Sequence, residues 1–174
     1  MKFLLSIGFA LIAFTLNAQT PTAAAVLERA QAEAKAEGKN VFVMFHASWC
    51  GWCHKMDKAM NEPDMKPLFE KNYVITHLTV LESEDKKNLE NPGADKVLAQ
   101  YGGDKGGIPF WYVTDADGKF IEDSRAIVDG KKAGNVGCPA TEKEVDYFIY
   151  VLRKSSGLND TELAGIKARF LKNQ

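Results

Sequence analysis

The chain has 174 residues, of which 45% are apolar and 26% are charged, a balance typical of a soluble globular protein with a single core. The formal net charge is −1 and no basic stretch is present, which excludes the charge pattern of a nucleic-acid-binding protein. The three cysteines, Cys50, Cys53 and Cys138, are an odd number and too few for a framework of structural disulfides.

The amino-terminal residues indicate export. Lys2 supplies a positive start, residues 3–16 are almost purely apolar, and the small residue Ala18 ends the segment. This order is typical of a secretory signal peptide, and the apolar run is shorter than the roughly 20 residues of a membrane-spanning helix. We therefore predict a cleaved signal peptide at residues 1–18 and a single domain at residues 19–174, periplasmic or secreted and not membrane-spanning after cleavage. A buried amino-terminal helix and an uncleaved anchor are the alternatives.

The remaining chain alternates helical and strand patterns. The predicted elements of its first half are a helix at 22–37, a buried strand at 41–45, a helix at 53–60, one or two helical turns at 65–71 and a strand at 73–80. A polar loop at 82–93 and a helix at 94–101 follow. The second half has a strand at 110–114, a tight turn at 115–118, a returning strand at 119–124, an irregular Gly-rich stretch at 126–139, a helix from Thr141, and a last helix from Asp160 or Thr161. This order predicts an α/β fold whose mixed, mostly four-stranded sheet is flanked by helices, with an extra carboxyl-terminal helix.

A dithiol motif, Trp49-Cys50-Gly51-Trp52-Cys53, follows the buried strand directly and opens a helix. The unpaired N–H groups and the positive dipole end at a helix start favour a thiolate at Cys50, and the thiolate is the reactive form. Cys53 lies one turn further on, close enough to bond to Cys50. We predict that Cys50 reacts with a partner and that Cys53 resolves the mixed disulfide. Gly51 is expected to keep the turn tight, and Trp49 and Trp52 to offer apolar contact.

These residues resemble the thioredoxin superfamily, and within it the exported, disulfide-isomerase-like proteins with a Trp-Cys-Gly-Trp-Cys-His-Lys motif, here residues 49–55. A second shared feature is Gly107-Ile108-Pro109 before a strand and hairpin. The resemblance implies a thioredoxin-like fold over about residues 22–155, a cis Pro109 facing the dithiol, and an Ile108 backbone that pairs with substrate. It also implies a thiol–disulfide oxidoreductase that acts on exported protein thiols and disulfides, with a membrane electron-transfer partner. The direction of electron flow stays open.

Two departures from thioredoxin affect the mechanism. Gly51-Trp52 replaces the Gly-Pro between the cysteines, and this dipeptide helps to set the redox potential. Met44 stands where thioredoxin has a buried Asp that assists deprotonation of the second cysteine. Glu62, Asp57 and His77 are the candidates to replace that Asp.

Two other functions fit parts of the pattern. Cys50 to His54 also satisfies C-x-x-C-H, the attachment motif of c-type haem, with Met56, Met60 or Met65 as a conceivable axial ligand. A haem site does not explain the buried strand before the motif or the Gly-Ile-Pro segment. We therefore predict no cofactor. His54 is expected either to tune the reactivity of Cys50 or simply to be exposed. The other function is a redox-inactive module that binds clients through Pro109 and the aromatic surface.

No metal site is predicted. One C-x-x-C pair supplies two ligands, and Cys138 lies far along a Gly-rich loop, where we expect a structural or incidental thiol. His46 and His77 stand alone in the sequence and are expected to be ordinary packed or exposed histidines.

Overall fold

A computed structural model describes residues 19–173; the predicted signal peptide lies outside the described residues. The helices of this part are α1 (Ala23–Glu37), α2 (Gly51–Met60), α3 (Lys66–Glu70), α4 (Ala94–Gln100), α5 (Glu142–Ser155) and α6 (Asp160–Phe170). Its strands are β1 (Asn40–His46), β2 (Tyr73–Thr79), β3 (Phe110–Thr114), β4 (Phe120–Asp123), β5 (Arg125–Val128) and β6 (Lys131–Asn135). Within residues 19–173, no helix combines the length and the apolar character that crossing a membrane requires.

A four-stranded mixed sheet in the order β2-β1-β3-β4 forms the centre of the protein. β1 pairs in parallel with β2 and antiparallel with β3. Residues 41–45 of β1 are all buried, as are all five residues of β3, because helices cover both faces of the sheet. The predicted α/β fold with a four-stranded mixed sheet is therefore confirmed.

Alternation along β1 divides the interior into two cores, since successive side chains of a strand point to opposite faces. Phe42 and Met44 pack with α2, α3, α5 and α6 on one face. Val41, Val43 and Phe45 pack with α1 and α4 on the other. Helix α2, which carries the dithiol motif, is thus held against the sheet by buried side chains that include Met56 and Met60.

The structure differs from the predicted elements in the Gly-rich stretch at 126–139. Most of that stretch belongs to a two-stranded hairpin, β5–β6, with a turn at Asp129 and Gly130. The prediction of irregular structure was wrong because a hairpin with a mostly exposed second strand, Lys131–Asn135, has no apolar alternation to reveal it.

Two smaller corrections concern the loop at 82–93 and the last helix. The loop contains a 3₁₀ helix, Glu84–Leu89. The last helix is capped by Asn159 rather than by Asp160 or Thr161, and Asn159 forms a capping box with Glu162. Three consecutive residues that all favour capping positions made the boundary ambiguous in the sequence.

Candidate active site

Cys50 occupies the N-cap position of α2, directly after β1 and a short loop. Its Sγ accepts a hydrogen bond from the backbone N–H of Cys53 at 3.2 Å, so the helix terminus is directed at this sulfur. The two cysteines are joined by a disulfide. Cys50 keeps 3% of its surface exposed and Cys53 none, so Cys50 carries the sulfur that a partner reaches first.

A loop before β3 faces the dithiol. The carbonyl oxygen of Ile108 lies 3.6 Å from Cys50 Sγ, and the Ile108 side chain packs against the small buried cluster of Ala47, Cys50 and Cys53. The Ile108–Pro109 peptide bond is cis, as the resemblance to thioredoxin implies. The backbone at Ile108 therefore lies beside the sulfur at which exchange would occur.

Asn135 at the end of β6 fixes this cis-proline loop. Its Nδ2 lies 3.2, 3.0 and 3.0 Å from the carbonyl oxygens of Gly106, Gly107 and Pro109 and donates to them. Its Oδ1 accepts from the backbone N–H of Gly137 at 3.1 Å. Sequence analysis missed Asn135, because a single polar residue in a Gly-rich stretch does not indicate which backbone carbonyl groups its side chain will bind.

Replacing Asn135 with aspartate is expected to lower kcat/KM for a protein disulfide about 10-fold, because a carboxylate cannot donate and would repel three carbonyl oxygens. Turnover of protein and of a small aromatic disulfide should be measured on the same samples. The small disulfide should react at the wild-type rate, since it needs only Cys50. Asn88→Asp, on the exposed 3₁₀ helix, is the control. Equal losses with both substrates would contradict a role in positioning the loop.

The loop before Cys50 is anchored by the segment that follows β2. Ser48 donates from its backbone N–H and its hydroxyl to the Glu82 carboxylate at 2.6 and 2.7 Å. Burial works to raise the pKa of Glu82, but the two hydrogen bonds from Ser48 outweigh it and hold the pKa below its ordinary value. The Trp49 indole N–H donates to the Leu81 carbonyl oxygen at 2.7 Å. Glu82 is a second residue that sequence analysis missed.

Two indoles flank the dithiol and stay open to solvent. Trp49 and Trp52 are 58% and 51% exposed. The Lys55 ammonium lies 4.7 Å from the centre of the Trp52 ring. Trp52 also borders a groove of about 370 Å³ that Pro109 and Cys138 help to line. Apolar surface is thus available beside Cys50.

Comparison with known proteins identifies the family to which the chain belongs. A sequence profile described as thioredoxin-like matches residues 22–116, more than half of the chain. The chain belongs to the thioredoxin-like family. The comparison with curated protein sequences gives no match.

Solved structures similar to this thioredoxin-like protein include a disulphide isomerase from Xylella fastidiosa Temecula1, at 23% identity and TM-score 0.47, covering 69% of this chain and 80% of that one. Another is a thioredoxin from Thermus thermophilus, at 18% identity and TM-score 0.44, covering 72% and 80%. A third is the DsbD carboxyl-terminal domain of Neisseria meningitidis, at 22% identity and TM-score 0.43, covering 67% and 90%. The family and the bonded Cys50–Cys53 pair confirm the predicted class, a thiol–disulfide oxidoreductase.

Gly51 differs from its expected role. Its φ is not positive, and an added Cβ would meet no described atom within 4 Å. The expectation that glycine keeps this turn tight was wrong, because position 51 is an ordinary, exposed first residue of α2.

His54 lies on the exposed side of α2, and its Nε2–H donates to the Ser48 carbonyl oxygen at 3.0 Å. It therefore ties the helix to the loop that precedes Cys50. The haem alternative needs each sulfur in a thioether, whereas here the two sulfurs are bonded to each other. Met56, Met60 and Met65, the conceivable axial ligands, are buried in the core.

Glu62, Asp57 and His77, the candidates to replace the buried Asp of thioredoxin, make different contacts in the structure. Met44 is fully buried, and Cys53 Sγ lies 3.9 Å from the Phe45 carbonyl oxygen. Glu62 pairs with Arg169 at 2.5 and 2.6 Å and is held at α6 rather than at the dithiol. Asp57 and His77 contact each other.

The histidines at 46 and 77, far apart in the sequence, lie side by side in the structure. Their rings lie 4.9 Å apart, because β1 and β2 are parallel neighbours. Burial, followed by the neighbouring His77, lowers the pKa of His46.

Cys138 is a buried free thiol. Burial raises its pKa to about 11, and its Sγ accepts a hydrogen bond from Asn173 at 3.5 Å. A thiol with so high a pKa stays protonated at neutral pH and is a poor nucleophile. This supports the expected structural or incidental thiol, although Cys138 borders the same groove as Trp52.

Proposed function

We propose that this protein is an exported, periplasmic thiol–disulfide oxidoreductase in which Cys50 is the nucleophile and Cys53 the resolving cysteine. The observation that carries the proposal is the placement of Cys50 Sγ at the N-terminus of α2, bonded to Cys53 and beside the Ile108 carbonyl oxygen. A helix N-terminus stabilises negative charge, so it lowers the free energy of the thiolate that the exchange reaction needs.

Reduction of a substrate disulfide proceeds in two exchanges. The Cys50 thiolate attacks one substrate sulfur, a Cys50–substrate disulfide forms, and the other substrate sulfur leaves as a thiolate. The Cys53 thiolate then attacks Cys50 Sγ, the Cys50–Cys53 disulfide forms, and the second substrate sulfur leaves. Two electrons pass from the dithiol to the substrate. The reverse sequence oxidises a substrate dithiol.

The residues around Cys50 suggest how a protein substrate is held. An extended segment pairs with the Ile108 backbone, which the cis Pro109 presents beside the sulfur. Trp49, Gly51 and Trp52 form the contact surface around it, since both indoles are about half exposed and Gly51 is exposed as well.

Exported protein thiols and disulfides are the proposed substrates, and a membrane electron-transfer protein is the proposed redox partner. The signal-peptide pattern predicted for residues 1–18 supports export. His54 is proposed to tune Cys50 through its hydrogen bond to the loop at Ser48.

Equilibration of the Cys50–Cys53 pair with glutathione buffers tests this function. We expect a reversible two-electron transition with a midpoint between about −120 and −270 mV, the range of redox-active dithiols on this fold. Thiol alkylation followed by mass spectrometry reads the reduced fraction, and Cys138→Ser, which lacks the third thiol, should give the same curve. A midpoint below about −300 mV would identify a structural disulfide and contradict the proposal.

A further inference from the structure

Three side chains with metal-binding atoms converge from three elements on the α2 side of the sheet. They are His46 at the end of β1, His77 in β2 and Asp57 in α2. One ligand atom from each lies within 4.8 Å of the other two. His77 Nε2 lies 2.8 Å from Asp57 Oδ1, and the two imidazole rings are 4.9 Å apart.

The fold explains this convergence. In the parallel β1–β2 pair, Met44 lies opposite His77, and His46 is two residues beyond Met44 on the same face. Asp57 follows Cys53 by four residues, so both lie on one side of α2. Two of the three elements that build the cluster, β1 and α2, also flank the dithiol, although the cluster lies outside the groove beside Pro109.

The cluster is sheltered yet reachable. The side chains of His77 and Asp57 keep 32% and 28% of their surface exposed. His77 also lines a separate groove that runs along the edge strand β2.

We propose that His46, Asp57 and His77 form a binding site for a divalent transition-metal ion of borderline softness, such as Zn²⁺. Two imidazoles and one carboxylate are a known ligand set for zinc with a fourth position left to water or another ligand. Ligand atoms around tetrahedral zinc are about 3.3–3.5 Å apart. His77 Nε2 and Asp57 Oδ1, now 2.8 Å apart, must therefore separate by about 0.6 Å, and the longest separation, up to 4.8 Å, must shorten by about 1.4 Å. Side-chain rotation at the partly exposed residues supplies such a change.

Further contacts fit this site. Nε2 of His46 lies 3.1 Å from Thr79 Oγ1, so Nδ1 is the nitrogen of this ring that the proposal assigns to the ion. Ligating histidines commonly use their second ring nitrogen in this way, and the contact fixes the ring orientation. The hydrogen bond between His77 and Asp57 accounts for the closeness of two of the three residues. It does not require a second imidazole beside it, whereas a metal site does, and His46 supplies that imidazole.

Calorimetric titration of the full, oxidised chain with Zn²⁺ tests the proposal. The Cys50–Cys53 disulfide removes both of these thiolates as competing ligands, so a one-to-one isotherm must come from other side chains. We expect His46→Ala or His77→Ala, each of which removes a ligand, to weaken Zn²⁺ binding about 100-fold. Asp57→Asn keeps a neutral oxygen in place of the carboxylate and should weaken it about 10-fold. His54→Ala removes the third histidine of the chain and should leave the affinity unchanged.

Two further measurements keep the test decisive. Circular dichroism should show that each variant keeps the native helix content, and Asp57→Asn preserves the shape of the side chain it replaces. Co²⁺ should give the visible d–d bands of a tetrahedral site in the oxidised wild type, and His77→Ala should lose them. Absence of Zn²⁺ binding in the oxidised protein, or binding that His54→Ala abolishes and His77→Ala retains, would overturn the proposal. Either result leaves the dithiol chemistry untouched.

Discussion

Cys50→Ser is expected to lower the rate of insulin-disulfide reduction at least about 1000-fold, because a serine hydroxyl is not ionised at neutral pH and cannot form the mixed disulfide. The fold should survive, since serine is itself a favourable N-cap residue and can accept the hydrogen bond that the backbone of Cys53 now gives to sulfur. The loss therefore reports chemistry rather than unfolding. Turbidity of reduced insulin, with dithiothreitol as the electron source, measures it.

The matched control is Cys138→Ser, which removes the buried cysteine outside the dithiol and should keep the wild-type rate. A Cys50→Ser protein that still reduces insulin would show that Cys50 is not the nucleophile. The redox-inactive binding module would be supported by two results together. The wild type would show no reductase activity, and wild type and Cys50→Ser would capture unfolded clients equally well.

Cys53→Ala is expected to convert the transient mixed disulfide into a stable product on Cys50. Cys53 is fully buried and bonded to Cys50, so it is the group positioned to attack the Cys50–substrate bond. Without it, adducts should accumulate and survive non-reducing electrophoresis, whereas the wild type should show almost none. Mass spectrometry of the tryptic peptides identifies the sulfur that carries each client.

The assignment of Cys50 depends on where those adducts lie. Cys138 is expected to carry none, because burial raises its pKa to about 11 and keeps the thiol protonated. The double variant Cys53→Ala, Cys138→Ser should trap the same clients in the same yield. Adducts at Cys138 would show that the assigned nucleophile is wrong.

The sequence predicted those parts of the fold that local patterns encode. The continuous apolar run at 41–45 indicated a buried strand, and Thr141 indicated the start of α5, where the structure shows that it forms a capping box with Glu144. The dithiol motif was interpretable for the same reason, since the strand, the N-cap and the helix that surround Cys50 are adjacent in the chain. Capping and periodicity act over a few residues, so they leave a readable trace.

What the sequence did not predict depends on tertiary contacts. Asn135 meets the cis-proline loop across a gap of 26 residues, and Glu82 meets Ser48 across 34. His46 and His77 approach each other only because of the register of two parallel strands. Such distances depend on strand pairing, which residue types and spacing do not specify.

Titration of the Cys50 thiol in the reduced protein is the most direct test of the central claim, that a helix N-terminus holds this sulfur in its reactive form. Ultraviolet absorbance of the thiolate, followed against pH and compared with Cys50→Ser, should give a pKa well below the roughly 8.5 of an unperturbed cysteine. The rate of alkylation by iodoacetamide should follow the same curve. A pKa at or above about 8.5, with alkylation no faster than that of a free thiol, would contradict the account.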